Sequence, residues 1–142
     1  MYTFKQIGDI YIVSIDNHQE IVGALNAFCE EQGIRCGLIE GLGAVNTATL
    51  RFLDPATKKY VDKTFDEQME IASLVGNISE KDGRAYLHIH VTLGRRDYTV
   101  VGGHFLCATV NGACELAVKK LDGAVGRRFD EETGLNLYEL PV

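Results

Sequence analysis

The stretch that most limits what this chain can fold into is Tyr86-Leu87-His88-Ile89-His90-Val91-Thr92-Leu93, an unbroken alternation over eight residues. A period of two is the period of a β-strand, so Tyr86, His88, His90 and Thr92 share one face and Leu87, Ile89, Val91 and Leu93 the other. The aliphatic face is the side for a core. The histidine face is then turned toward a bend, a cavity or a neighbouring subunit.

A third histidine follows shortly in Gly102-Gly103-His104-Phe105, so three of the four histidines lie in two neighbouring segments. Residues two apart on a strand project from the same face about 7 Å apart. His88 and His90 can therefore approach one ion at Zn–N distances of about 2.0–2.1 Å, and an antiparallel neighbour carrying His104 can add a third imidazole. Three histidines leave a position open for water, a carboxylate or a substrate oxygen. Neutral imidazole suits Zn, Ni, Cu or Fe, so a divalent transition metal is expected, with zinc among the candidates. The competing reading is a pair of surface or hydrogen-bonded histidines. Glu115, Tyr86 and Cys107 are candidate supporting groups, although no spacing places them at the site. His18 reads as an exposed residue near a helix start.

Along the chain, Tyr2 to Ile7 and Ile10 to Ile15 read as a hairpin broken at Gly8-Asp9. Asn17 is placed to cap a helix, with Glu20 in the capping-box position, and Ile21, Val22, Leu25, Phe28 and Cys29 follow at helical spacing. The helix is expected over about Gln19 to Gln32, ended by Gly33. Short extended runs follow. Gly41-Leu42-Gly43-Ala44 lacks the third glycine of a dinucleotide loop, Asn46 standing in its place, and is read as a bend or bulge between strands. Ala48, Leu50 and Phe52 alternate with Thr47, Thr49 and Arg51 as a half-buried strand ending at Asp54-Pro55. Lys58 to Phe65 suits an edge strand or a contact with another subunit, and Met69 to Ile78 a strand turned back by Glu80-Lys81-Asp82-Gly83. Tyr98 to Val101 and His104 to Val110 are read as strands flanking a bulge or close approach at Gly102-Gly103. Cys114 to Leu121 fits either period poorly, and antiparallel context favours a strand. Gly123 to Val142 reads as a loop leading to an extended Leu135 to Leu140.

At 142 residues the chain suits one domain, spanning 1–142. With 46% hydrophobic and 24% charged residues it is globular in composition. The net charge of -6 opposes phosphate polymers, and Lys58-Lys59, Arg95-Arg96, Lys119-Lys120 and Arg127-Arg128 are isolated basic pairs expected on a solvated surface. Cys29, Cys36, Cys107 and Cys114 form no CxxC pair and no secretory h-region precedes them, so a reduced, cytoplasmic protein without a membrane segment is expected. A GxSxG elbow and a P-loop are missing. A Cys107 nucleophile paired with His104 is opposed by the alternation of strand faces. The sum is an α+β protein: a mainly antiparallel sheet, curved by its glycines, with one helix covering it.

Four motifs then occur in a specific order: Gly41-Leu42-Gly43-Ala44-Val45, the Glu70 to Ile78 strand, His88-Ile89-His90-Val91 and Gly102-Gly103-His104-Phe105. In this the chain resembles the PPC domain, the "plants and prokaryotes conserved" domain, in its stand-alone prokaryotic form, over roughly Tyr2 to Leu121. The resemblance implies an α+β fold with a strongly bent antiparallel sheet that assembles into a homotrimer. It also implies a metal site near a subunit boundary, formed by the HxH and GGH histidines. The family is often labelled DNA-binding through its plant members, but the Arg-Gly-Arg-Pro core that enters the minor groove is absent here. The leading expectation is a homotrimeric metal-binding protein with His88, His90 and His104 as ligands and an open position for a small anion or substrate. A DNA-associated regulatory module, a metal-dependent enzyme of unnamed substrate and a pure assembly domain are the alternatives.

Overall fold

Alternation of apolar and polar residues dominates this chain, and strands dominate the computed structural model, which describes residues 1–141. In chain order the elements are β1 (Tyr2–Ile7), β2 (Ile10–Ile15), α1 (Ile21–Glu31), β3 (Gly37–Asp54), β4 (Lys59–Phe65), β5 (Met69–Lys81), β6 (Arg84–Gly94), β7 (Val100–Lys120), β8 (Gly126–Asp130) and β9 (Leu135–Glu139). The sheet runs β1-β2-β7-β3-β5-β8-β9, with β4 on β3 and β6 bridging β5 and β7. All pairings are antiparallel except the contact of Glu80 with Gly126. Among the described residues no helix is long and apolar enough to cross a membrane.

The bend of the sheet is visible in its pairing. β7 is paired to β6 from Val100 to His104 and to β3 from His104 to Lys120, while β3 is paired to β5 and β5 to β6. Those four strands therefore close on one another. Val45, Leu74, Ile89, Leu93 and Val110 fill the inside of the curve and are buried. The helix joins this core through Ile21, Leu25 and Phe28, and Tyr2, Phe4 and Tyr11 of the opening hairpin pack edge-on or tilted against Phe28 or one another. Such tilted aromatic contacts are favoured by the ring quadrupole.

Several expectations shift in register. Asn17 is not the helix cap: its side chain accepts from the Gly112 N–H, and Glu20 caps α1 by accepting from the Val22 and Gly23 N–H groups. The helix consequently starts at Ile21 and ends before Gln32, while Gly33 adopts φ 60, the left-handed conformation expected of it. Gly41-Leu42-Gly43 is a bulge inside one continuous strand, β3, and not a break between two. A Cβ on Gly41 would lie 2.6 Å from the Glu115 carbonyl oxygen, and one on Gly43 2.3 Å from that of Ala113, so the bulge requires the missing side chains. Likewise β7 runs unbroken through Gly102, where a Cβ would meet the Val91 carbonyl oxygen at 2.9 Å, and on through the ambiguous segment from Cys114 as far as Lys120, one residue short of the expected Leu121. Phe52, expected inside, is 70% exposed. The segment read as a loop after Gly123 holds a strand, β8, whose parallel contact with β5 no local pattern announces.

Candidate metal centre

His88 and His90 stand on one face of β6, as the alternation requires, while Ile89 and Val91 between and beyond them are buried. His104 reaches them by direct strand pairing: its Cα is opposite His90 on β6 and also opposite Arg51 on β3. It sits where β7 passes from one neighbour to the other, so the closure of the sheet is what assembles the cluster. The three ring centroids are 5.1, 5.2 and 5.4 Å apart, and one donor atom from each imidazole lies within 4.8 Å of the others.

His88 Nε2 and His90 Nε2 are 3.2 Å apart. Two nitrogens about 2.0–2.1 Å from one tetrahedral ion would be separated by about 3.3 Å. The spacing therefore fits joint ligation without rearrangement. The protonation state fits as well. Burial, reinforced by His88, His90 and Arg51, holds the His104 imidazole down to about 4, with Asp62 opposing. Burial also lowers His88, helped by His90 and Arg127. Both rings are neutral at neutral pH, the form that binds metal.

Two walls enclose the cluster in a cavity of about 390 Å³. One comes from β3 and β4. Arg51 donates from Nε and Nη2 to both Asp62 oxygens at 2.9 and 2.8 Å, and its guanidinium carbon lies 4.7 Å from the centre of the Tyr60 ring, which in turn stands 5.6 Å from His104. The other wall is the β8–β9 hairpin. Arg127 is held between the Tyr86 and Tyr138 rings, at 4.7 and 4.4 Å, and donates to Ser79 Oγ, the Asn136 carbonyl and Asn77 Oδ1 at 2.6, 2.7 and 2.9 Å.

Of the supporting groups considered from sequence, Tyr86 lines this cavity. Glu115 does not, because it is paired to Leu42 and Ser14 in another part of the sheet. Cys107 is opposite Thr49 on β3 and is not part of the lining. Sequence reasoning missed Arg51, Tyr60, Arg127 and Asn136. Arg127 in particular was placed on a solvated surface, and its real position corrects that expectation. The one signal available was the mixed Gly126–Asp130 run, too short to declare itself a strand.

The family described as the Plants and Prokaryotes Conserved (PCC) domain matches residues 2–122. A protein from Bacteroides thetaiotaomicron, provisionally described as DNA-binding, is 53% identical and superposes with a TM-score of 0.96 over 98% of this chain and 97% of its own. A protein from Archaeoglobus fulgidus described as metal-containing is 41% identical, with a TM-score of 0.89 over 99% of this chain and 100% of its own. A plant- and prokaryote-conserved protein from Pyrococcus horikoshii is 25% identical, with a TM-score of 0.85 over 100% and 97%. No curated protein matches.

Proposed function

This chain belongs to the Plants and Prokaryotes Conserved domain family, and from that premise we propose that it is a homotrimeric metal-binding protein. In this reading His88, His90 and His104 ligate one divalent transition ion, zinc among the candidates, and leave one position open to a small ligand. The observation that carries it is the approach of three imidazole donor atoms to within 4.8 Å of one another on a single cavity wall. The description of the Archaeoglobus fulgidus protein, 41% identical, as metal-containing supports it. A bound ion would supply positive charge and an open coordination position, and the chain's own part is to present neutral imidazoles at ligating distance. Metal analysis of the purified protein tests the reading. About one equivalent per chain is expected in the wild type and little in a His88→Ala/His90→Ala variant with an unchanged circular dichroism spectrum. Equal metal content in both would sink it.

The homotrimer is supported by the apolar residues that one face of the sheet leaves in solvent. Ile12, Leu42 and Val75 are 49, 56 and 53% exposed around a hollow of about 690 Å³. A cluster of that kind is characteristic of a surface that meets another protein. Val75 is directly opposite His90 in the β5–β6 ladder, so the apolar face adjoins the histidines. The DNA description stays with the Bacteroides thetaiotaomicron protein. Here the charge is -6, and Arg35, Arg51 and Arg95 are each engaged by a carboxylate.

A further inference from the structure

Resting on that reading of the histidines, we propose that the cavity beside them takes a small organic carboxylate, and that Arg127 is the residue that recognises its charge. The argument begins with what Arg127 does not touch. Its three hydrogen-bond acceptors, Ser79 Oγ, the Asn136 carbonyl and Asn77 Oδ1, are all neutral, and among the described residues it forms no ion pair. Arg51, on the opposite wall, has its charge met by both oxygens of Asp62. Arg127 is thus the cation of this cavity whose charge no carboxylate meets, and a part-buried cation is stabilised by an anionic partner.

A guanidinium has five N–H donors. Three are used, leaving one hydrogen on each terminal nitrogen of Arg127. Stacking between Tyr86 and Tyr138 fixes the plane of the fork, so those donors are pre-organised and little side-chain entropy is lost on binding. A divalent ion on the neighbouring imidazoles would raise the positive charge further, which favours an anion. The rest of the wall says which anion. Leu53, Leu135 and Leu137 are apolar and partly exposed to the cavity, which suits the hydrocarbon body of an organic acid and offers nothing to the hydration of inorganic phosphate. At about 390 Å³ the space lies within the range of about 300–1,000 Å³ usual for small-molecule sites.

Isothermal titration calorimetry on the full chain loaded with Zn²⁺ tests this, with benzoate as the probe and benzamide as its uncharged twin. Benzoate is expected to bind at least tenfold more tightly than benzamide. Arg127→Gln is expected to weaken benzoate at least tenfold with zinc content and benzamide binding unchanged, and Arg127→Lys to recover part of the loss. Equal binding of the two probes, or benzoate binding unaffected by Arg127→Gln, would overturn the proposal. Because Arg127 also ties β8 to β5, the Arg127 Nε resonance is followed in the unaltered protein. Benzoate is expected to shift it, and an unmoved resonance at saturating benzoate overturns the proposal even if the variants fail to fold. A protein that takes up no zinc when supplied with it, but whose Arg127 resonance still answers benzoate, faults the metal reading alone. A zinc-loaded protein whose Arg127 does not answer faults the carboxylate.

Discussion

Glu30 shows how much one side chain can hold. Its Oε1 accepts the Ala85 N–H of β6 at 2.7 Å and its Oε2 accepts Arg35 Nη2 at 2.8 Å, so it fastens the end of α1 to the start of the histidine strand. The Ala85 hydrogen bond holds its carboxyl below the usual glutamate range; burial opposes it, and the charge and hydrogen bond of Arg35 and the charge of Arg84 add to the lowering. A carboxyl lowered in the folded state binds fewer protons there than in the unfolded chain. Its contribution is therefore complete above the unfolded value, about 4.3, and is lost as pH falls through the folded one. The melting temperature is expected to fall with pH below about 4.3 and to fall less steeply in Glu30→Gln, whose Ala85 amide should also exchange faster at neutral pH. Identical pH slopes for the two proteins would contradict this. Arg35 is only five residues on, but Ala85 lies far down the chain, so the bond that ties the helix to the histidine strand has no local signature.

At the scale of elements, the helix start illustrates a near miss with a physical cause. Asn17 and Glu20 have the spacing of a capping box, but Asn17 is drawn to the Gly112 N–H of β7 and the cap passes to Glu20. Glu20 Oε1 also accepts the Ala108 N–H at 3.4 Å, so the cap serves the helix and the sheet together. Glu20→Ala is expected to lower the unfolding free energy by about 1 kcal/mol, read from the urea midpoint at unchanged slope. A midpoint equal to wild type would show that the cap carries no stability. The strands teach the same lesson in reverse. Alternation identified β6 residue by residue, because side-chain facing has a local period. Where β7 begins and ends was not local: it spans segments read as three, since pairing with β6 and β3 carries it through Gly102 and past Gly112.

For the whole molecule, closure of β3, β5, β6 and β7 turns one face inward as core and leaves the other, with Ile12, Leu42 and Val75, in solvent. If that outer face is the trimer contact, light scattering at micromolar concentration should give about three times the chain mass of 15.7 kDa, and Leu42→Glu/Val75→Glu should shift it toward one chain. A wild-type species of single-chain mass would remove the trimer. By itself the sequence determined that His88 and His90 share a face, that the opposite face is core, and that Gly41 and Gly43 mark a bend or bulge, though not that one strand runs through it, because each follows from a period or a missing Cβ within a few residues. Only the tertiary structure decided what surrounds the histidines. Arg51 and Tyr60 arrive on the β3–β4 pair and Arg127 on a hairpin whose parallel contact joins Gly126 to Glu80. The physical reason is that a strand's own pattern says which way its side chains point, but not which distant strand will pair beside it.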